Sequence, residues 1–163
     1  MTSILKVSSI QDPTNSNTAL QIDTSGRILT PARPAFRVYG TSAVWASLSA
    51  AVKVNLLTTV DYNIGNHYST TDHEFTAPCD GLFHFSGRFY VNNTATMSDF
   101  YLSIDDAGFV ANRYFAGGDA DQSDMSVTFA ETLQLTANQT VSIKGNSGQY
   151  YPYYSSFSGY LVG

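Results

Sequence analysis

The sequence predicts an all-β protein, a two-sheet antiparallel sandwich that follows a short extended amino-terminal arm. Charged residues make up only 13% of the 163-residue chain, and aromatic residues make up another 13%. This composition suits aromatic strands and does not suit charged amphipathic helices. From residue 53 onward, short apolar runs alternate with turn residues, which is the pattern of a sheet protein. The length is that of one domain with a sizeable core.

Residues 1–30 differ from the rest because they are polar and rich in Ser, Thr and Asn. Residues 12–17 are rich in turn formers, and residues 23–27 predict a tight turn between very short strands at 20–22 and 27–29. Such an arm buries too little surface to offset its ordering entropy, so it needs a partner surface. Its apolar anchors are Ile4, Val7, Ile10, Leu20, Ile22 and Ile28.

The proline-rich residues 31–34 form a stiff connector, so we divide the chain into an arm at 1–32 and a head at 33–163. The window 43–52 is rich in alanine, which favours a helix, but it has no cap and β-like residues follow it. We therefore predict an irregular or extended segment there. The predicted strands are 53–60, 73–77, 81–92, 98–105, 108–115, 125–135, 139–145 and 153–162.

Local patterns support these strands. Phe83 and Phe85 alternate with polar neighbours, so both are predicted to face the same side of a strand. Residues 105–108, Asp-Asp-Ala-Gly, predict a hairpin turn, and residues 137–139 separate the next pair in the same way. Eight strands of this spacing suit a two-sheet jelly roll.

Two widely separated motifs make this prediction more specific. The residues that matter most share an order of apolar, turn and aromatic types: Phe36, Leu57, Val60, Asn63, Gly65, Tyr68, Phe75, Pro78, Gly81, Phe83, Phe85, Phe157, Gly159 and Leu161. Over about residues 34–163 they resemble the globular head of complement component one-q, a jelly roll of the tumour-necrosis-factor superfamily. Leu57 stands where the family usually has an aromatic residue. No collagen-like stalk precedes the head, so a role in animal complement is not expected.

The resemblance implies a homotrimer, in which aromatics near the closing strand pack around the threefold axis. The residues predicted for that interface are Tyr150, Tyr151, Tyr153, Tyr154 and Phe157. Tyrosine has a flat apolar face and a hydroxyl, which suits protein interfaces and also sugar rings. An exposed glycan-binding surface and an ordinary core position are therefore the alternatives for this segment.

The sequence argues against several classes of function. The net charge of -5 and the pI near 4.8 disfavour nucleic acid binding, and no apolar window is long enough for a membrane span. Cys79 is the single cysteine, so no intrachain disulfide is expected. The three histidines are far apart, and no nucleophile elbow occurs, so we predict neither an enzyme nor a required cofactor.

The acidic stretch 117–124 is the one candidate for a metal site. Asp119, Asp121 and Asp124 could supply oxygen ligands to Ca²⁺. The stretch lacks the glycine and the terminal glutamate of an EF-hand loop, so a solvated acidic loop is the alternative.

The order of residues in the arm resembles the amino-terminal arms of tailed-phage virion proteins, notably those of marine phages and cyanophages. With the head, this predicts a trimeric fibre, spike or capsid decoration protein, assembled in the host cytoplasm and held to other virion proteins by its arm. One alternative is a receptor-binding head that recognises a host glycan or surface protein through loops 92–98, 105–108 and 116–124. Another is a bacterial adhesin or cytokine-like ligand, which the lack of a secretory signal disfavours.

Overall fold

The computed structural model describes residues 7–14, 16–91, 97–108, 113–117 and 125–163. The strands in these ranges number fourteen, and they form three antiparallel sheets. One small sheet lies in the amino-terminal arm, and the other two form the head. The predicted all-β, two-sheet fold class is confirmed.

The arm folds into a three-stranded sheet with the order β1 (Ser9–Gln11), β2 (Thr18–Ile22), β3 (Ile28–Leu29). The Asp23 carboxylate organises the turn between β2 and β3, because it accepts bonds from the Arg27 amide at 2.9 Å and from Arg27 Nε at 2.7 Å. These bonds hold the pKa of Asp23 below its usual value. The predicted turn and its two short strands are confirmed, and β1 is a strand that the sequence analysis missed.

Two sheets face each other in the head. The first contains, in spatial order, β11 (Tyr114–Gly117), β10 (Ser98–Ile104), β13 (Thr140–Ser147), β8 (Glu74–Thr76) and β7 (Tyr68–Ser69). The second contains β12 (Met125–Leu135), β9 (Gly81–Val91), β14 (Gln149–Leu161), β4 (Ala35–Tyr39) and β6 (Thr59–Ile64), and β5 (Ala46–Ser47) pairs with β14 beside them. We call this second sheet the six-stranded sheet.

A cluster of phenylalanine rings fills the space between the two sheets. The Phe36 ring stacks on Phe75 at 5.2 Å and meets the edge of Phe157 at 5.0 Å. Phe83 and Phe85 are fully buried against the same cluster. The prediction that these two residues share a face is confirmed, because alternate residues of a strand point to the same side.

Most predicted strands agree with the structure, and the differences have simple causes. The strand predicted at 53–60 is wrong, because β6 begins only at Thr59 and Lys53 makes an isolated bridge to Lys144. Val54 and Leu57 are buried although neither lies in a strand, so their apolar pattern reflects core contacts. The closing strand β14 begins at Gln149, four residues before the predicted start, and residues 109–112 of the predicted strand 108–115 lie outside the described residues.

The predicted irregular window 43–52 and the predicted turn at 105–108 are confirmed. In the window 43–52 the only strand is β5, so its irregular or extended character holds. Asp105 and Asp106 have φ values of +50° and +55°, and the Ala107 amide donates to the Ile104 carbonyl at 2.9 Å. Positive φ at both central residues is the geometry of the tight turns that fit a twisted hairpin.

Buried polar groups tie the strands of the first sheet together. The Asp99 carboxylate accepts bonds from the Ser147 amide at 2.5 Å, from Asn146 at 3.0 Å and from the Tyr114 hydroxyl at 3.3 Å. Nearby, Lys53 forms an ion pair with Glu74 at 2.8 Å. The carboxylates beside Lys53 outweigh the effect of its burial, and its pKa therefore lies above the usual value.

Candidate functional site

The outward face of the six-stranded sheet is the larger of two candidate binding surfaces. The residues of β9 that alternate with its buried phenylalanines point outward, and they are Leu82, His84, Ser86, Arg88 and Tyr90. In the middle of this face, Ser86 lies beside Ala130 and Ser158, and the two serine hydroxyls are 3.0 Å apart. Because these side chains are small, the centre of the face is flat.

An aromatic cluster occupies one end of this face. Trp45 stacks on Tyr90 with centroids 6.0 Å apart and lies 5.1 Å from Tyr151, while Tyr154 meets Tyr90 edge to face at 5.2 Å. Arg88 and Ser126 continue the same depression along β9 and β12. We call this surface the aromatic groove and define it by Trp45, Arg88, Tyr90, Ser126, Tyr151 and Tyr154.

An irregularity in β14 creates the groove. Tyr151 pairs with Tyr90, but the next pairing is Ser156 with Arg88, so β14 has three more residues than β9 between these pairs. Pro152 begins the extra segment, and it has no amide hydrogen to donate to a ladder. A bulge of this kind bends a strand and redirects its side chains. Here it leaves Tyr153 and Tyr154 about half exposed.

The opposite end of the face has a different character. The His84 ring lies 5.3 Å from the Tyr160 ring, and its Nδ1 is 3.2 Å from the Thr132 hydroxyl. Tyr160 and Leu82 are both more than two-fifths exposed. The outward face therefore has a flat centre of small residues between two ends that expose apolar surface.

The five residues predicted for the trimer interface fall into two groups. Tyr150 and Phe157 are 1% and 2% exposed and belong to the core of the head. Their side chains have no free surface to offer a neighbour, so for these two the interface prediction is corrected to a core position. Burial raises the pKa of Tyr150 to about 12. Tyr151, Tyr153 and Tyr154 lie on the outward face, where the prediction stands for them.

The arm provides the second candidate surface. Of the predicted anchors, Val7, Ile10, Leu20, Ile22 and Ile28 lie together around a concave apolar face, and Ile4 lies outside the described residues. Cross-strand pairs of Ile10 with Leu20 and of Ile28 with Ile22 place them on one side of the sheet. Their exposed fractions range from 37% to 70%. We call this surface the arm face.

The other predicted sites give fewer observations. Asp119, Asp121 and Asp124 lie outside the described residues, as do most of loops 92–98 and 116–124. Among the residues that are described, no three His, Cys, Asp or Glu side chains come close enough to hold a metal ion. Cys79 is exposed and is a free thiol. No helix within the described ranges is long and apolar enough to cross a membrane.

Only Tyr151 and Tyr154, two of the six residues of the aromatic groove, were predicted from the sequence as site residues. Trp45, Arg88, Tyr90 and Ser126 were not predicted as site residues. Trp45 lies in a loop window, and the other three alternate with core residues on long strands. Their shared feature is the outward side of two neighbouring strands, which becomes visible only when the register between β9 and β12 is known.

The facing antiparallel sheets, with this strand order, define a jelly roll of the complement and tumour-necrosis-factor type. The C1q domain family matches residues 35–162. The chain therefore belongs to the C1q domain family.

Solved structures support the same fold. The globular domain of zebrafish complement 1qA protein is 15% identical, with a TM-score of 0.63, covering 80% of this chain and 98% of its own. Eiger TNF from S. frugiperda is 12% identical, with a TM-score of 0.61, covering 81% of this chain and 94% of its own. Murine APRIL is 7% identical, with a TM-score of 0.58, covering 80% of this chain and 99% of its own. A sequence search of curated proteins finds no match.

The family has consequences for both surfaces. C1q and tumour-necrosis-factor domains form homotrimers, and they are typically non-enzymatic binding modules. Within the described residues, exposed apolar side chains cluster on the outward face of the six-stranded sheet and on the arm face, while others, such as Val44 and Val52, lie in loops. Both surfaces are therefore suited to contacts with other molecules.

Proposed function

We propose that this chain is a homotrimeric, non-enzymatic structural protein of a tailed-phage virion: a fibre, spike or capsid decoration protein. Residues 1–32 attach it to another virion protein, and the jelly-roll head projects from the particle. The protein is assembled in the host cytoplasm and resides in the virion.

The uncovered arm face is the observation that supports attachment. Among the described residues no second layer covers the apolar side of the three-stranded sheet, and sheets become stable only when such a side is packed. Ile28 is 70% exposed and Ile10 is 49% exposed. Asp23 and Arg27 neutralise each other at the β2–β3 turn, so the ion pair leaves no net charge beside the apolar side chains.

The trimer would use the flat centre of the outward face. Ser86, Ala130 and Ser158 present small side chains there, so a neighbouring head can approach closely. Ser158→Arg should dissociate the trimer in multi-angle light scattering, because an arginine does not fit a close sheet contact. Ala137→Arg, in an exposed turn away from this face, is the matched control and should leave the trimer intact.

Attachment is tested in assembled particles. Deletion of residues 1–30 should yield a folded trimer that no longer enters particles, as measured by mass spectrometry of purified virions. Ile22→Asp in the full chain should have the same effect, whereas Gln21→Asp, on the opposite side of β2, should still be incorporated. Normal incorporation of the truncated protein would rule the arm out as the anchor. Imaging of the particle would give the copy number, with three copies per site expected.

A receptor-binding head is the second candidate function. The half-exposed rings of Tyr153 and Tyr154 favour it, because tyrosine side chains suit contacts with sugars as well as contacts with proteins. Trimeric presentation would convert weak single-site binding to a host surface into useful avidity. Purified head that neither binds host cells nor blocks infection would leave decoration as the role.

A further inference from the structure

We propose that the arm face is covered by the arm faces of the other two subunits, so that the three arms of a trimer form a three-sided bundle with their apolar side chains inside. The inference rests on the homotrimer given above. Residues 1–32 still attach the protein to the virion, but the unit that attaches is the bundle. Its polar outer side and the free edges of β1 and β3, which pair with no further strand among the described residues, remain available to the virion partner.

The arm's own head does not cover the arm face. None of the described residues between 7 and 33 is buried, and Pro34 is the first buried residue in the described chain. The hydrophobic core of the head contains no residue of the arm. Ile28 is 70% exposed, the largest fraction among the large apolar side chains that the structure describes. Since sheets with an apolar side pack that side against another layer, the cover comes from another chain.

The arm face is suited to copies of itself. Leu20 and Ile22 lie two residues apart on β2, and they pair across the sheet with Ile10 and Ile28 respectively. The face therefore has two layers of branched apolar side chains, about 7 Å apart, around a depression of about 190 Å³ that side chains of a neighbouring arm can enter. Gln21 points to the opposite side of β2. Three such sheets around a threefold axis hide their apolar sides and leave their polar sides in water.

The connector keeps the three arms close to one end of the head. The Arg33 amide donates to the Thr30 carbonyl at 3.0 Å, and Nη2 of Arg33 donates to the Val162 carbonyl at 3.1 Å. The Leu161 amide donates to the Pro34 carbonyl at 3.0 Å. The arm therefore leaves the head beside the end of β14. Residues 30–34 separate β3 from β4 and can span about 20 Å at most.

This exit point lies where the outward face of the six-stranded sheet ends. Tyr160 pairs with Ala35, the first residue of β4. Tyr160 and Leu82 are both more than two-fifths exposed on that face, so apolar surface continues toward the arm. When three heads meet through this face, their arms are tethered at the same end of the trimer. Short tethers give an effective concentration on the order of 1 mM, so each arm face meets its two sister faces before any other partner.

Cysteine cross-linking of the full-length protein in solution tests the bundle directly. The exposed thiol of Cys79 is first removed by Cys79→Ala, and Ile28→Cys is then introduced. A short bismaleimide should join two of the three thiols near the axis and give a covalent dimer in denaturing gels. Leu29→Cys is the matched control, because Leu29 is the next residue, is 41% exposed and pairs with Gln21 on the opposite side of the sheet. Its cross-linking should be slower by about tenfold or more.

Trypsin cleavage after Arg27 measures whether this packing stabilises the arm. Arg27 lies at the β2–β3 turn of the arm sheet, and cleavage there requires the arm to open locally. Ile22→Asp places a carboxylate inside the bundle, so it should raise the cleavage rate by about tenfold or more, while light scattering still shows a trimeric head. Gln21→Asp adds the same charge on the outer side and should be cleaved as slowly as the wild type.

Three results would overturn the proposal. Equal cross-linking of Ile28→Cys and Leu29→Cys would mean that the arms lie near each other without packing. Equal cleavage of the Ile22→Asp and Gln21→Asp proteins would mean that the arm face is not covered in the trimer. A monomeric full chain in light scattering would refute the bundle together with the homotrimer. Selective cross-linking at Ile28→Cys would support the bundle even if the particle assay showed no attachment, so the two proposals fail separately.

Discussion

The buried hydroxyl of Ser155 accepts a hydrogen bond from the backbone amide of Tyr90 at 3.2 Å. The same hydroxyl donates to the Tyr151 carbonyl at 2.8 Å. Tyr151 pairs with Tyr90, and the extra residues of β14 interrupt the ladder immediately beyond that pair. One side chain therefore replaces the missing strand contacts and sets the positions of two rings in the aromatic groove.

Ser155→Ala should destabilise the head and disturb the groove together. The substitution removes both hydrogen bonds of the buried hydroxyl, at a cost of about 1–3 kcal/mol. For a domain of this size, the melting temperature should fall by about 2–4 °C for each kcal/mol. The near-ultraviolet circular dichroism of the Trp45 cluster should change as well. Ser156→Ala, the next residue but half-exposed, is the matched control, and equal effects of both variants would contradict the role of Ser155.

Gly159→Ala should be destabilising for a different reason, which is overcrowding of the core. A Cβ at this position would lie 2.6 Å from Cδ1 of Phe85 and 2.8 Å from Cε1 of Phe36. Inserting a methyl group into a packed core costs about 1–3 kcal/mol. Chemical denaturation measures the loss, and Gly108→Ala, whose added Cβ meets no atom of the described residues within 4 Å, should have little effect. A Gly159→Ala protein as stable as the wild type would mean that the core can expand there.

The parts of the fold that were predictable have local causes. Asn63 donates to the Tyr68 carbonyl at 2.9 Å and accepts from the Tyr68 amide at 3.1 Å, and Gly65 has a φ of +81°. The spacing of Asn63, Gly65 and Tyr68 in the sequence therefore corresponds to a single local turn. Hairpin turns and the alternation along β9 are local in the same sense, so periodicity and turn chemistry suffice to find them.

The aromatic groove was not predictable because its parts are joined by long-range register. Tyr150 points into the core and Tyr151 points outward, since neighbours on a strand alternate. The run of tyrosines reveals this only when the start of the strand is known, and β14 begins earlier than its apolar pattern suggests. Trp45 and Tyr90 are brought together by pairing of β5 and β9 with the same strand, which no local pattern encodes.

Asp99→Asn should reduce stability by at least about 2 kcal/mol, because hydrogen bonds to a buried charged group are among the stronger ones. The carboxylate oxygens only accept, and they meet the Ser147 amide and hydroxyl as well as Asn146. The side-chain amide of an asparagine at this position would place an N–H donor against the donors of Ser147 or Asn146. Urea unfolding provides the measurement.

The matched control for that change is Asp61→Asn, which breaks the exposed ion pair with Arg37 at 2.8 Å. Exposed pairs contribute about 0–1 kcal/mol, so its unfolding midpoint should stay near that of the wild type. If the two asparagine variants unfold at the same urea concentration, the network around Asp99 is not a source of stability.

Acid should destabilise the head already below pH 6.5, through two histidines. Burial lowers the pKa of both His67 and His73, and Nδ1 of His73 is buried without a hydrogen-bond partner among the described residues. The unfolded chain takes up protons near pH 6.5, whereas the native protein takes them up only at lower pH. Between these values the unfolded state binds more protons, so stability decreases as pH falls.

Melting temperatures between pH 8 and pH 5 test this for the wild type and for a His67→Asn, His73→Asn double variant. Asparagine tolerates the positive φ of +57° at position 73, so the variant keeps the local backbone. The wild type should lose more stability than the variant across this range, because only the wild type has the two displaced pKa values. Parallel curves for the two proteins would mean that neither histidine contributes, and the acid sensitivity would then have to come from carboxylates, which titrate at lower pH.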